Sequence, residues 1–373
     1  MSGGLAASPT VDAVRATAFT VDTTDDPEQD GTLTWDDTTM VAVEVDGGGR
    51  TGTGWTYAAP AVASLVTDVL APAVCGMPVT DVRRAATEMM VATRNLGPGG
   101  LAAYARSAVD VALWDLKARV LDTSLVDLLG AARTAVPVYG SGGFTSLDDD
   151  RLAQQLHGWV EAGFTQVKIK VGRDPEPDRR RIAVARHTVG DRVALYVDAN
   201  GGYQRHEALA WAEAFAQAGV TWLEEPVSSL DLAGLRLVRD RAPAGMAVAA
   251  GEYVDGLVPA RQLLEAGAVD VLQLDATRCS GITGFLDDEA MARAHHVPVS
   301  AHCAPSLHQA VAAASPSLLH VEWFHDHARI ERLLLDGFRE PVGGVVPIDR
   351  TVAGHGLTLR PDADRHRTRS TRA

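Results

Sequence analysis

The chain has 373 residues, 46% of them hydrophobic, enough for a large core and more than one domain. Its 34 basic and 48 acidic side chains give a formal net charge of −14, which argues against nucleic acid or an anionic membrane as partner but leaves a small anionic substrate open. Three scattered cysteines, Cys75, Cys279 and Cys303, suggest no disulfide framework and fit a reduced cytoplasmic setting; the N-terminus does not read as a secretory signal, and no run reaches transmembrane length.

Residues 11–57 alternate apolar and polar, predicting an antiparallel meander with one buried face that turns at DGGGRTG. The polar stretch TTDDPEQDGTLTW (23–35) interrupts it and reads as a mobile surface loop, either plain connection or a lid. From about residue 60 to 129 the period becomes helical. PAVASLVTDVLAPAV and VTDVRRAATEMMVATRN are amphipathic, and GGLAAYARSAVDVALWDLKARVL reads as a longer, buried helix. Residues 1–132 are therefore expected to form an α+β capping domain.

At Val136 the texture changes. Eight β-rich runs now alternate with helical segments: VPVYGSG, TQVKIKV, VALYVD, VTWLEE, MAVAAG, VDVLQLD, VPVSAH and LLHVEW. That pattern predicts a (β/α)₈ barrel over residues 133–344. A doubly wound sheet would use fewer strands and a glycine fingerprint; GSGGF at 140–144 lacks the spacing and reads as a turn. Residues 345–373 are expected to return to the cap through TVAGHGLTL, with DADRHRTRSTRA a disordered tail.

In a barrel the C-terminal strand ends converge on one face, where active sites lie. Asp198, Glu224 and Glu252 each end an apolar run. One such acid more often caps a helix; on successive strands, three form an anionic, all-oxygen site suited to Mg²⁺ before Mn²⁺, and ill suited to zinc. Lys168 and Lys170 lie two apart on one strand, so both ammoniums face the barrel mouth. Adjacent to each other and to a divalent cation, they are expected to lower each other's pKa until one is a usable base. Asp275 and His302 end the next two runs after Glu252 and suit an oriented imidazole base on the other flank. Glu322, ending LLHVE, reads either as a protonated donor to a carboxylate substrate or as a helix cap.

VKIKVG, YVDANGGY, WLEEP, the Gly-Glu at 251–252, LQLDATRCSGITG, SAHCAPSLH and HVEW together closely resemble the mandelate racemase subgroup of the enolase superfamily, over essentially the whole chain. The resemblance implies that Asp198, Glu224 and Glu252 bind the metal, that Lys170 is a base tuned by Lys168, and that His302 with Asp275 serves the other face. It implies that Asn200 and Glu322 help hold substrate, that Glu225 lies behind the ligands, and that the chain forms a homo-oligomer. Arg278 stands near where some relatives carry a second lysine base; arginine stays protonated, so it either binds an anionic substrate group or pairs with a neighbour.

His295 and His296 read as exposed helix-end residues. His308, His325 and His327 are placed on barrel-top loops, and Trp35 and Tyr57 as packing more than pocket lining. The expected function is Mg²⁺-dependent α-proton abstraction from a small hydroxy carboxylate through an enediolate. Dehydration of an acid sugar is favoured, since aromatic content is only 5%, low for an aryl pocket. A racemase or epimerase is the alternative, and a non-catalytic binding protein the second. Specificity is expected from the 23–35 loop, the turn near residue 50 and the barrel loops.

Overall fold

Alternation drives residues 11–57 into a three-stranded antiparallel sheet, ordered β1 (Val11–Asp22), β4 (Asp37–Gly47), β5 (Arg50–Tyr57). The structure, a computed structural model, describes residues 8–24 and 27–368. Between β1 and β4 a short hairpin forms from β2 (Glu28–Gln29) and β3 (Thr34–Trp35). The central strand β4 is buried on both faces, not one. Val41, Val43 and Val45 pack with Val109, Leu113 and Leu116 of helix α4 (Leu101–Val120), while Met40 and Ala42 join the barrel core. Gly54 permits the close fit, because a Cβ there would stand 2.3 Å from the Ala108 carbonyl oxygen.

The amphipathic stretch from residue 60 is not one regular helix. It runs as α1 (Ala61–Leu65), a π-helical turn (Val66–Leu70) and α2 (Ala71–Val74). Pro72 follows the widened turn and has no N–H to donate back. The cap continues through α3 (Val82–Thr93) and α4 to α5 (Leu125–Leu129). Trp55 and Tyr57, at the far end of β5 from its turn, carry the contact with the barrel. The turn itself sits by Pro9 and Val120, away from the barrel mouth, which corrects its expected part in specificity.

All eight expected runs are strands, each followed by a helix. They are β6 (Ala135–Gly142), α6 (Asp149–Glu161), β7 (Gln166–Lys170), α7 (Pro175–Val189), β8 (Ala194–Asp198), α8 (Arg205–Gln217), β9 (Val220–Glu224) and α9 (Leu232–Arg241). Then come β10 (Ala247–Ala250), α10 (Leu257–Glu265), β11 (Val271–Leu274), α11 (Gly281–Ala294), β12 (Val299–Ala301), α12 (Pro305–Ala314), β13 (Leu318–Phe324) and α13 (His325–Leu334). Successive strands pair in parallel, and β13 pairs with both β12 and β6, closing the barrel. GSGGF is mostly strand: residues 140–142 end β6.

The inward positions of the barrel follow the two-residue strand period. Low in the barrel they are apolar or aromatic: Tyr139, Tyr196, Trp222, Ala249 and Val271 cluster, with the His320 ring 4.6 Å from that of Tyr139. One step further along the strands the inward positions become Ser141, Lys170, Asp198 and Glu224, with Lys168 between the layers.

Three elements follow: β14 (Leu335–Asp336), β15 (Val345–Pro347) and β16 (Thr358–Leu359). β15 pairs antiparallel with β6, so the return begins on the barrel. The GHGL stretch does reach the cap: the His355 N–H donates to Asp115 Oδ1 of α4 (2.8 Å), and His355 Nε2 lies 2.7 Å from the Thr53 carbonyl. The tail is ordered further than expected. Residues 363–366 form a 3₁₀ turn, and the Thr368 N–H donates to the Ala18 carbonyl (2.9 Å); residues 369–373 lie outside the described ones. No described helix is long and apolar enough to cross a membrane.

Candidate active site

Asp198 ends β8, Glu224 ends β9, and Glu252 follows β10. All three are buried, and one carboxylate oxygen from each lies within 4.8 Å of the others. Glu252 Oε2 is buried and has no hydrogen-bond partner. An all-oxygen trio with an orphaned oxygen fits a hard divalent cation. Burial, then the charge of Asp198, pushes Glu224 well above the usual carboxylate range. Burial also pushes Asp198 up, but the ammoniums of Lys170 and Lys168 outweigh it and hold that carboxyl low.

Lys170 Nζ lies 2.5 Å from Asp198 Oδ2. Lys168 Nζ is 2.5 Å from Glu224 Oε1, 2.8 Å from Glu322 Oε1 and 3.3 Å from the Tyr139 hydroxyl. The expected mutual lowering of the two lysines does not describe this arrangement. Burial lowers both and Lys168 lowers Lys170, yet the facing carboxylates prevail and both ammoniums are raised. Proximity of like charges loses here to direct ion pairing in a buried setting.

On the other flank His302 Nδ1 is 2.8 Å from Asp275 Oδ2, and His302 Nε2 is 3.5 Å from Glu252 Oε2. Asp275 Oδ1 also accepts the Thr277 N–H (2.7 Å). Burial works against this carboxylate, but the hydrogen bond and charge of His302 hold it well below the usual range. The trio thus has Lys170 against Asp198 at one end and His302 beside Glu252 at the other.

Glu322 is neither a protonated donor nor a helix cap. Its Oε1 accepts from Ser141 Oγ (2.6 Å), its Oε2 accepts the Cys303 N–H (2.9 Å), and burial is outweighed by Lys168 and His302, which hold it ionised. Arg278 pairs with neighbours: Nη1 is 3.3 Å from Glu252 Oε1, Nε is 3.6 Å from Asp275 Oδ2, and the guanidinium lies 5.2 Å from the Tyr253 ring. The Asn200 N–H donates to Asp198 Oδ1 (2.9 Å), and its buried Oδ1 has no partner. Glu225 is buried outside the trio; burial, then Glu252, raises its carboxyl.

The stretch 27–35 is docked, not loose, at the mouth. The Thr145 N–H donates to the Gln29 carbonyl (2.7 Å), and Arg173 Nη1 donates to the carbonyls of Asp30 (3.2 Å) and Leu33 (3.1 Å). Gly31 lies over the ends of β7 and β8, where a Cβ would come 2.4 Å from the Ala199 oxygen and 2.6 Å from the Val171 oxygen. Residues 25 and 26 of the loop fall outside the described ones. Trp35 packs on Phe144, with ring centroids 5.7 Å apart, and Tyr57 stacks on His327 at 3.4 Å.

All three histidines placed on loops are in helices. His308 is buried in α12, where its Nε2 accepts the Ala276 N–H (2.9 Å) and its Nδ1 faces the Cys303 carbonyl (2.9 Å). His327, like His325, belongs to α13. His295 and His296 are exposed just past α11, as expected. Tyr139, Ser141 and Cys303 were not placed in the site by sequence. The first two share the inward alternation of VPVYGSG, a readable signal; Cys303 shows no such pattern.

The fold and site define a capped parallel barrel whose strand ends hold an acid trio between a lysine pair and a His–Asp pair. The model of the mandelate racemase / muconate lactonizing enzyme N-terminal domain matches residues 13–130, and that of the enolase C-terminal domain-like family matches residues 151–363. The chain belongs to the mandelate racemase / muconate lactonizing enzyme family of the enolase superfamily. It is 32% identical over 262 residues to the L-talarate/galactarate dehydratase of Salmonella typhimurium, a match covering 69% of this chain and 65% of that protein. A structure of that dehydratase liganded with Mg and L-lyxarohydroxamate superposes with a TM-score of 0.88 at 26% identity, covering 99% of this chain and 96% of that one. The D-galactarolactone cycloisomerase of Agrobacterium fabrum is 34% identical over 290 residues, 73% of this chain and 76% of that protein. A mandelate racemase/muconate lactonizing enzyme-like protein from Rubrobacter xylanophilus is 50% identical with a TM-score of 0.93, covering 96% of this chain and 99% of that one.

Proposed function

We propose that this chain abstracts the α-proton of a hydroxy carboxylate and dehydrates an acid sugar to a 2-keto-3-deoxy acid. The observation that carries this reading is the flanking of one acid trio by Lys170 at Asp198 and His302 at Glu252. Asp198, Glu224 and Glu252 would hold Mg²⁺. When bound, that cation draws electron density from the substrate carboxylate and so stabilises an enediolate.

Lys170 takes the α-proton. Asp198 is what raises its ammonium, so neutralising that carboxylate is what frees Lys170 to accept a proton. Lys168, fixed by Glu322 and Tyr139, keeps a positive charge beside the developing enediolate oxygens. Asp275 orients His302 with Nδ1–H inward, leaving Nε2 toward the site. Protonated there, His302 gives its proton to the departing β-hydroxyl, which leaves as water. The resulting enol becomes the 2-keto acid. Asn200, through its unpartnered Oδ1, and Arg278, which already anchors Glu252, contact the substrate.

The same flanking supports a second reading, racemisation or epimerisation, in which His302 returns the proton to the opposite face. Retention of both flanks disfavours a purely binding role. We also keep a cytoplasmic homo-oligomer, with a cap over residues 1–132 and barrel over 133–344, as part of this reading. The test is incubation with Mg²⁺ and a panel of acid sugars and α-hydroxy acids. A 2-keto product supports dehydration, an inverted C2 supports racemisation, and neither with any acid of the panel defeats both.

A further inference from the structure

We propose that His302, Cys303 and Glu322 form a second, softer metal site that takes Zn²⁺ and closes the imidazole flank of the active site. Cys303 Sγ lies 3.1 Å from His302 Nε2 and 3.4 Å from Glu322 Oε2, and those two atoms are 3.8 Å apart. Tetrahedral zinc, with bonds of about 2.0–2.3 Å, needs its ligand atoms about 3.3–3.6 Å apart. One of the three separations falls in that range and the other two lie about 0.2 Å outside it, so small side-chain shifts bring the nitrogen, sulfur and oxygen to zinc spacing, and all three residues are buried.

Each donor is also braced from behind. Asp275 faces His302 Nδ1 at 2.8 Å, the carboxylate–histidine arrangement that leaves the Nε2 lone pair for a metal. Glu322 Oε1 is occupied by Ser141 and Lys168, which turns Oε2 toward Cys303 and His302. Cys303 and Ala304 both adopt positive φ, 51° and 37°, unusual for residues with a Cβ. That turn brings the neighbouring side chains 302 and 303 together. The Ala304 N–H donates to His327 Nδ1 (3.2 Å), and the Cys303 carbonyl faces His308 Nδ1 (2.9 Å).

Donor chemistry separates the two sites. Thiolate and imidazole favour zinc or cobalt, whereas the Asp198, Glu224, Glu252 trio favours magnesium. Binding forms a zinc–sulfur bond as the thiol proton leaves to solvent, with no oxidation. Occupying Nε2 displaces the proton that His302 gives to substrate; this inhibitory consequence rests on the proposed function, while the binding does not.

The test titrates Mg²⁺-saturated protein with Co²⁺ and follows the thiolate-to-cobalt charge-transfer band, then displaces it with Zn²⁺. One equivalent with that band is expected. Cys303→Ser should lose the band and weaken zinc at least about tenfold, while Cys75→Ser keeps both. Bound Co²⁺ without a thiolate band in the unaltered protein would overturn the site, as would a band that survives Cys303→Ser or vanishes with Cys75→Ser. α-Proton exchange is measured separately in D₂O, so protein that binds cobalt this way without exchange keeps the site and sinks only the proposed function.

Discussion

Replacing Asp275 with Asn tests the imidazole flank at a single atom. Asn can keep the oxygen that accepts the Thr277 N–H, so the local backbone is retained. What changes is the group 2.8 Å from His302 Nδ1, from a carboxylate to an amide. A hydrogen bond to a charged partner contributes about 1.5–3 kcal/mol and a neutral one about 0.5–1.5 kcal/mol. The protonated imidazole therefore loses about 1–1.5 kcal/mol, or about tenfold in a step that needs it. If the amide presents its NH₂ to Nδ1, the ring tautomer inverts and the loss is larger. We expect kcat to fall at least about tenfold with KM little changed. The assay is steady-state formation of 2-keto acid from the acid sugar found in the panel. A kcat within about twofold of the parent would refute the assignment of Asp275 and His302 as a working pair.

Gly31→Ala should push the 27–35 hairpin off the strand ends, because the added Cβ meets two backbone oxygens at 2.4 and 2.6 Å; an overpacking cost of about 1–3 kcal/mol should appear as a lower Tm or a raised KM, and no change in either would contradict the docking. Asp288 is buried with neither carboxylate oxygen hydrogen-bonded, and burial pushes it up to about 8. A raised carboxyl costs nothing below its unfolded pKa near 4, and stability is lost as pH rises from there through about 8. Asp288→Asn should flatten that part of the stability–pH curve by a few kcal/mol in denaturant titrations; an unchanged slope would show that the group does not titrate there. Chelator should stop turnover and added Mg²⁺ restore it along with a higher Tm, whereas turnover undiminished in chelator would remove the acid trio from the reaction.

Much of the barrel was legible because its signals are local. Each strand is a short apolar run, and the charged residues that matter stand where those runs end: Lys170, Asp198, Glu224, Glu252, Asp275 and His302. The two-residue period even placed Lys168 and Lys170 on one side. What escaped depends on contacts between distant segments. The charge state of Glu322 follows from Lys168, which lies on β7, far earlier in the chain. The polar 27–35 stretch looks loose until Arg173 and Thr145 are seen to hold it. The tail residue Thr368 looks free until its N–H meets Ala18 of β1. Local patterning likewise hides how soon α12 and α13 begin after their strands, which puts His308, His325 and His327 in helices.

The central claim is that Lys170 removes a proton from carbon at one end of the acid trio. The most direct measurement is deuterium incorporation at C2 in D₂O with Mg²⁺, comparing the parent with Lys170→Met on a substrate series of each C2 configuration. The account predicts exchange by the parent, and its loss in the variant for the series that presents its α-proton to Lys170. Full exchange by Lys170→Met in every series would contradict it.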